Sequence, residues 1–206
     1  MSDSLPNTGL PVEEAIAELR DALASRRHSV LIAPPGAGKT TLVPLRLLHE
    51  NWVAGRKIVM LEPRRLAARA AAQRMAHMLG EKVGDTVGYQ TRDERKIGAN
   101  TRIEVLTEGI LTRRLQNDPT LDGTALVIFD EVHERNVPTD LGLAFLLDAI
   151  KTFSTDVKIL AMSATAQTQL FAHVLADDKG DAPIITSEGR TFPIDVRYVP
   201  RQRNDR

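Results

Sequence analysis

Lys39 and Thr40 stand directly behind two closely spaced glycines, in the run Ala33-Pro34-Pro35-Gly36-Ala37-Gly38-Lys39-Thr40. A lysine and a hydroxyl in that setting can hold a chain of phosphates. Glycine lets successive backbone N–H groups turn inward with no Cβ in the way. The lysine supplies a full positive charge to the β- and γ-phosphates, and the threonine hydroxyl can coordinate Mg²⁺. The strict pattern G-x-x-x-x-G-K-[ST] has a glycine where this chain has Ala33, and otherwise it is met. Pro35, Gly36, Ala37, Gly38, Lys39, Thr40 and Thr41 are the expected phosphate cradle.

Further along, the apolar run Ala125–Phe129 ends in Asp130-Glu131-Val132-His133. One carboxylate there can hold Mg²⁺, largely through water. The next can orient or deprotonate a water for attack on the γ-phosphate. Asp130 is read in the first role and Glu131 in the second; alone, two acids closing a strand would be an ordinary solvated end. Ser163-Ala164-Thr165 follows another apolar run, and its hydroxyls can relay hydrogen bonds at the same edge. Without the other motifs, that triplet would read as a helix N-cap.

These groups meet only if the elements before them are parallel strands, whose carboxyl ends border one crevice. Short apolar runs do alternate with segments of helical spacing, the pattern of βα units. Strands are expected at 28–33, 57–61, 86–90, 102–106, 125–129 and 158–162, with edge strands at 183–186 and 193–199, each opened by a proline. Helices are expected at 12–24, 39–50 (with Pro44 awkward inside it), from the end of the second strand to about Leu79, and at 109–116, 139–151 and 167–175. Gly80 is placed to cap the third helix. The fold class is α/β: a P-loop domain with a mostly parallel central sheet flanked by helices. It is expected over 11–199, after a flexible start at 1–10 and before a polar linker at 200–206.

Composition narrows the function further. Lys+Arg and Asp+Glu both number 27, so the net charge is zero and any nucleic-acid surface must be a local patch. One such patch is Pro63–Gly80, which holds Arg64, Arg65, Arg69 and Arg74 and no acidic residue. Thr107-Glu108-Gly109 opens a second helix, with Arg113 and Arg114 one turn on. Arg69 and Arg113 alone read as solvated helix faces. With no cysteine there is no disulfide framework or thiolate metal site, and the five histidines lack zinc-binding spacing. No apolar run approaches the ~20 residues that span a membrane. A cytoplasmic location, with no membrane partner, is expected.

Taken together the motifs resemble superfamily 2 helicases of the DEAH/RHA group, most closely the bacterial HrpB-type branch. The phosphate loop, DEVHERNVPTD, SAT, Leu61-Glu62-Pro63-Arg64-Arg65 and Thr107-Glu108-Gly109-Ile110-Leu111 stand in that group's order, and Val87-Gly88-Tyr89-Gln90 resembles its V-G-Y segment. The resemblance implies ATP and Mg²⁺ as cofactors and single-stranded RNA, or DNA, as partner. It implies sequence-independent nucleic-acid contacts at Pro63, Arg64, Arg65, Thr107, Glu108 and Gly109. His133 would link the nucleotide site to nucleic acid or to a second domain, and Ser163 and Thr165 would couple hydrolysis to strand movement. Arg74 matches the arginine that stacks on adenine. Helicases of this kind close two RecA-like domains on ATP, and the second domain's Q-x-x-G-R-x-G-R is absent here. The expectation is therefore a first RecA-like domain, nearly inactive without its second and C-terminal domains. Two alternatives stay open: a P-loop NTPase that is not a helicase, and a nucleotide-binding module without turnover.

Overall fold

The computed structural model describes residues 6–166, 168–189 and Arg197. Eight strands form one sheet: β1 (His28–Ile32), β2 (Lys57–Leu61), β3 (Val87–Gln90), β4 (Arg95–Lys96), β5 (Ile103–Leu106), β6 (Thr124–Phe129), β7 (Lys158–Ser163) and β8 (Ile184–Thr186). Their order is β4-β3-β5-β2-β6-β7-β1-β8, and every pairing is parallel except β3 with β4. The helices are α1 (Glu13–Ser25), α2 (Lys39–Leu47), α3 (Arg65–Met78), α4 (Glu108–Asn117), α5 (Val137–Phe153) and α6 (Gln169–Val174). None of them is long and apolar enough to cross a membrane.

Strands covered on both faces need apolar residues at every position, and successive side chains then serve opposite layers. In β2, Ile58 and Met60 enter the layer under α1, α2 and α3, while Val59 and Leu61 enter the layer under α4, α5 and α6. In β6, Leu126 and Ile128 divide from Val127 and Phe129 in the same way. A one-residue slip of either strand would exchange the layers, so the pattern fixes the register. Leu61 pairs with Phe129 and Ile32 with Ser163, which brings the ends of β2, β6, β1 and β7 to one edge.

The expected strands over 28–162 are present within a residue at each end. Two features differ from expectation. Helix α2 runs through Pro44 and stops at Leu47, not Glu50. The next residues close in tighter turns, with Leu48 N–H donating to Leu45 C=O and Glu50 N–H to Leu47 C=O. Strand β4 was not expected at all, because Arg95 and Lys96 are polar and exposed and carry no apolar alternation. The strand expected at 193–199 and the linker at 200–206 lie outside the described residues, Arg197 excepted. Gly80, at φ +71°, closes α3 as expected, with Glu81 N–H bonded to Ala76 C=O. Residues 6–10 are irregular; the C=O of Pro6 accepts from the guanidinium of Arg46, and Thr8 N–H donates to Glu13.

On β5 the carboxylate of Glu104 is buried between Lys57 Nζ and Arg114 Nη1, each at 2.6 Å. Both cations hold it below the ordinary carboxylate range against the effect of burial, which is the largest single influence and pushes upward. Arg114, grouped in the sequence with a basic surface, thus turns inward and ties α4 to the sheet.

Candidate functional site: the carboxyl edge of the sheet

The phosphate loop leaves β1 at Ala33, whose N–H donates to Ser163 C=O at 3.0 Å, so the loop starts pinned to β7. Gly36 and Gly38 have φ of +77° and +92°, the left-handed region that glycine enters without strain. The C=O of Ala37 accepts from Val12 N–H at 3.1 Å, tying the loop to the start of α1. Lys39 and Thr40 then open α2, where unsatisfied N–H groups and the helix dipole favour anions.

Lys39 is buried, and its Nζ lies 2.8 Å from Glu131 Oε1. The Thr40 hydroxyl donates to Asp130 Oδ2 at 2.6 Å. Asp130 is 1% exposed, and burial pushes its carboxyl up to about 6. The Thr40 hydrogen bond opposes that rise, and the Glu131 charge adds to it. Glu131 occupies left-handed backbone at φ +53° at the head of a single 3₁₀ turn, Val132–Glu134. From that turn His133 places Nδ1 3.3 Å from Ala164 N–H and 3.3 Å from Glu131 Oε2. His133 therefore touches both the acidic motif and the SAT triplet. Within the triplet, Ser163 Oγ accepts from Thr165 N–H and donates to Thr165 C=O, both at 3.1 Å.

The residues assigned to nucleic acid lie along the same edge. Pro63 and Arg64 follow β2, and Arg64 and Arg65 open α3. Arg64 is ion-paired with Glu134 and Arg65 with Asp93. Thr107 caps α4 from extended backbone, and its N–H donates to Gln90 C=O. Glu108 accepts a 2.6 Å hydrogen bond from the Thr139 hydroxyl, so its carboxylate joins α4 to α5. Gly109 has open space around it. Arg74 shares the wall of a 420 Å³ cavity with Thr40, Thr41, Glu62, Arg64, Glu131 and Glu134.

Sequence reasoning missed Glu62. It directly follows β2, whose last residue pairs with the residue before Asp130, so it stands beside the acidic motif. Burial, then Asp130, pushes its carboxyl up to about 7, and the only hydrogen bond it receives among the described contacts is the Arg64 N–H at 3.3 Å. The signal was available once β2 and β6 were known to be neighbours. With the folded value above the unfolded 4.5, its ionisation costs stability progressively from pH 4.5 to 7. Glu62→Gln is expected to raise stability by about 3 kcal/mol at pH 8 and by little below pH 4.5. Urea unfolding of both proteins across that range checks this; an equal gain at both ends would contradict it.

Donor chemistry at the Thr40–Asp130 pair suits a small hard cation: both groups are oxygen, and the buried carboxylate faces Thr40. No cluster of three or more acidic, histidine or cysteine ligands exists among the described residues.

A glycine-turned loop opening a helix, beside paired carboxylates on a parallel sheet, defines a RecA-like P-loop domain. The model of the DEAD/DEAH box helicase family matches residues 13–172, and the chain belongs to that family. It is 49% identical over 199 residues to ATP-dependent RNA helicase HrpB of Escherichia coli (strain K12), covering 97% of this chain and 24% of that protein. It is 36% identical over 195 residues to ATP-dependent RNA helicase DHX30 of Gallus gallus, covering 92% and 15%. The crystal structure of the Escherichia coli DEAH/RHA helicase HrpB superposes with a TM-score of 0.85 at 48% identity, over 96% of this chain and 25% of that one. The chain thus spans a quarter or less of the length of these relatives.

Proposed function

We propose that this chain binds Mg-ATP and single-stranded RNA as the first RecA-like domain of an ATP-dependent RNA helicase. In that reading residues 11–199 form the domain and 200–206 lead toward a second. The observation that carries it is the pairing of Lys39 with Glu131 and of Thr40 with Asp130 at the mouth of the phosphate loop. Both pairs bring together the groups that a nucleotide would engage.

Lys39 would leave Glu131 for the β- and γ-phosphates, and the loop N–H groups would take the phosphate oxygens. Thr40 and Asp130 are the residues that would hold Mg²⁺, directly and through water; when bound it supplies charge neutralisation between the phosphates. Glu131, released from Lys39, orients the attacking water and accepts its proton. Its second oxygen already lies near His133, and His133 near Ala164, so the state of the water site is felt at the SAT triplet.

Titrating the chain with Mg²⁺ and a non-hydrolysable ATP analogue tests this. Lys39→Ala is expected to weaken binding by 2–5 kcal/mol, about 30- to several-thousand-fold, by removing a buried charge partner of the phosphates. Equal affinity in both proteins would contradict the assignment.

A further inference from the structure

Three cations assigned to phosphates are neutralised by carboxylates of the chain itself. Lys39 pairs with Glu131, Arg64 with Glu134 and Arg65 with Asp93. Glu131 and Glu134 belong to one turn: Glu134 N–H donates to Glu131 C=O at 2.9 Å. That turn is bracketed by two left-handed, non-glycine residues, Glu131 at φ +53° and Arg135 at φ +52°. Such backbone persists only where surrounding contacts hold it. Here they include the buried Val132, the Lys39–Glu131 pair and the Arg135–Asp140 pair, while Arg64–Glu134 is the exposed one.

We propose that Glu134 is a stand-in for a nucleic-acid phosphate: it holds Arg64 until a phosphodiester takes the guanidinium. The exchange is then passed along the turn to Glu131. This rests on the reading of Arg64 as a phosphate contact. Carboxylate and phosphate offer a guanidinium the same paired acceptors, so they compete directly. The arginine is 71% exposed and the glutamate side chain 26%, which leaves Arg64 open to approach from solvent. An exposed pair contributes little net stability, so a phosphodiester that also releases counterions can displace it. Glu134 is a positioning residue in this scheme: it acts through Arg64. The Arg65–Asp93 pair reaches the hairpin between β3 and β4 and has no link to Glu131 among the described contacts, which makes it an internal comparison.

The test measures the affinity of the chain for a labelled single-stranded uridine oligonucleotide across a salt series, with and without a non-hydrolysable ATP analogue. Glu134→Gln is expected to tighten RNA binding roughly two- to fivefold at low salt. The gain should vanish in an Arg64→Gln background, which a merely structural role for Glu134 would not produce. Asp93→Asn should also tighten binding, but only Glu134→Gln should reduce the effect of RNA on analogue affinity, a coupling that must be reciprocal. If Arg64→Gln weakens binding and Glu134→Gln does not strengthen it, the stand-in role is wrong and the Arg64 contact survives. If Arg64→Gln changes nothing, the contact itself is wrong and the inference falls with it. No binding by any variant counts against both.

Discussion

Glu131→Gln is expected to lower RNA-stimulated ATP turnover by about 10²–10⁴-fold in a polypeptide that carries both RecA-like domains. The amide keeps the size and hydrogen-bonding reach of the carboxylate but cannot take a proton from water. Nucleotide affinity should be unchanged or slightly higher, because Lys39 loses the carboxylate that competes with phosphate for it. Steady-state turnover and analogue binding, measured on the same preparation, separate the two effects. Unchanged turnover would remove Glu131 from the chemistry and favour a nucleotide-binding module without hydrolysis. Nucleic-acid-independent turnover in the parent protein would instead favour an NTPase that is not a helicase.

The parts of this edge that are legible in sequence are those written locally. A phosphate loop needs glycines, lysine and threonine in one short run, and the backbone at Gly36 and Gly38 has the positive φ that such a run implies. The acidic motif is equally local, since the last apolar residue of β6 leads directly to Asp130. What remained hidden depends on which strands are neighbours. Glu62 reads as part of a basic motif until β2 and β6 are paired, and only then does it become a third carboxylate at the acidic motif. The Glu134 and Asp93 partners of Arg64 and Arg65 come from separate loops, and no spacing rule links them. Glu108 offered the same difficulty: its carboxylate is engaged by Thr139, a residue on another helix. In each case the fold supplied a long-range neighbour that local chemistry does not specify.

The second large effect concerns the chain alone. Its carboxyl edge presents the glycine-turned loop, the Thr40–Asp130 pair and Glu131. Among the described cations, Arg64 and Arg74 line the cavity beside these groups, but Arg64 is held by Glu134. In related phosphoryl-transfer enzymes an arginine supplied from another domain or protein contributes about 10³–10⁵ in turnover. The relatives are at least four times as long as the span they share with this chain, which leaves ample sequence to provide such a group. The 206-residue chain is therefore expected to bind Mg-ATP yet hydrolyse it about 10³–10⁵ times more slowly than a two-domain polypeptide.

ATP hydrolysis by the chain and by a polypeptide carrying both RecA-like domains, each with and without single-stranded RNA, tests the central claim most directly. Almost no turnover by the chain in either condition is expected, with RNA-stimulated turnover by the longer protein. Rapid, RNA-stimulated hydrolysis by the chain alone would show that its active site is complete and would contradict the two-domain mechanism.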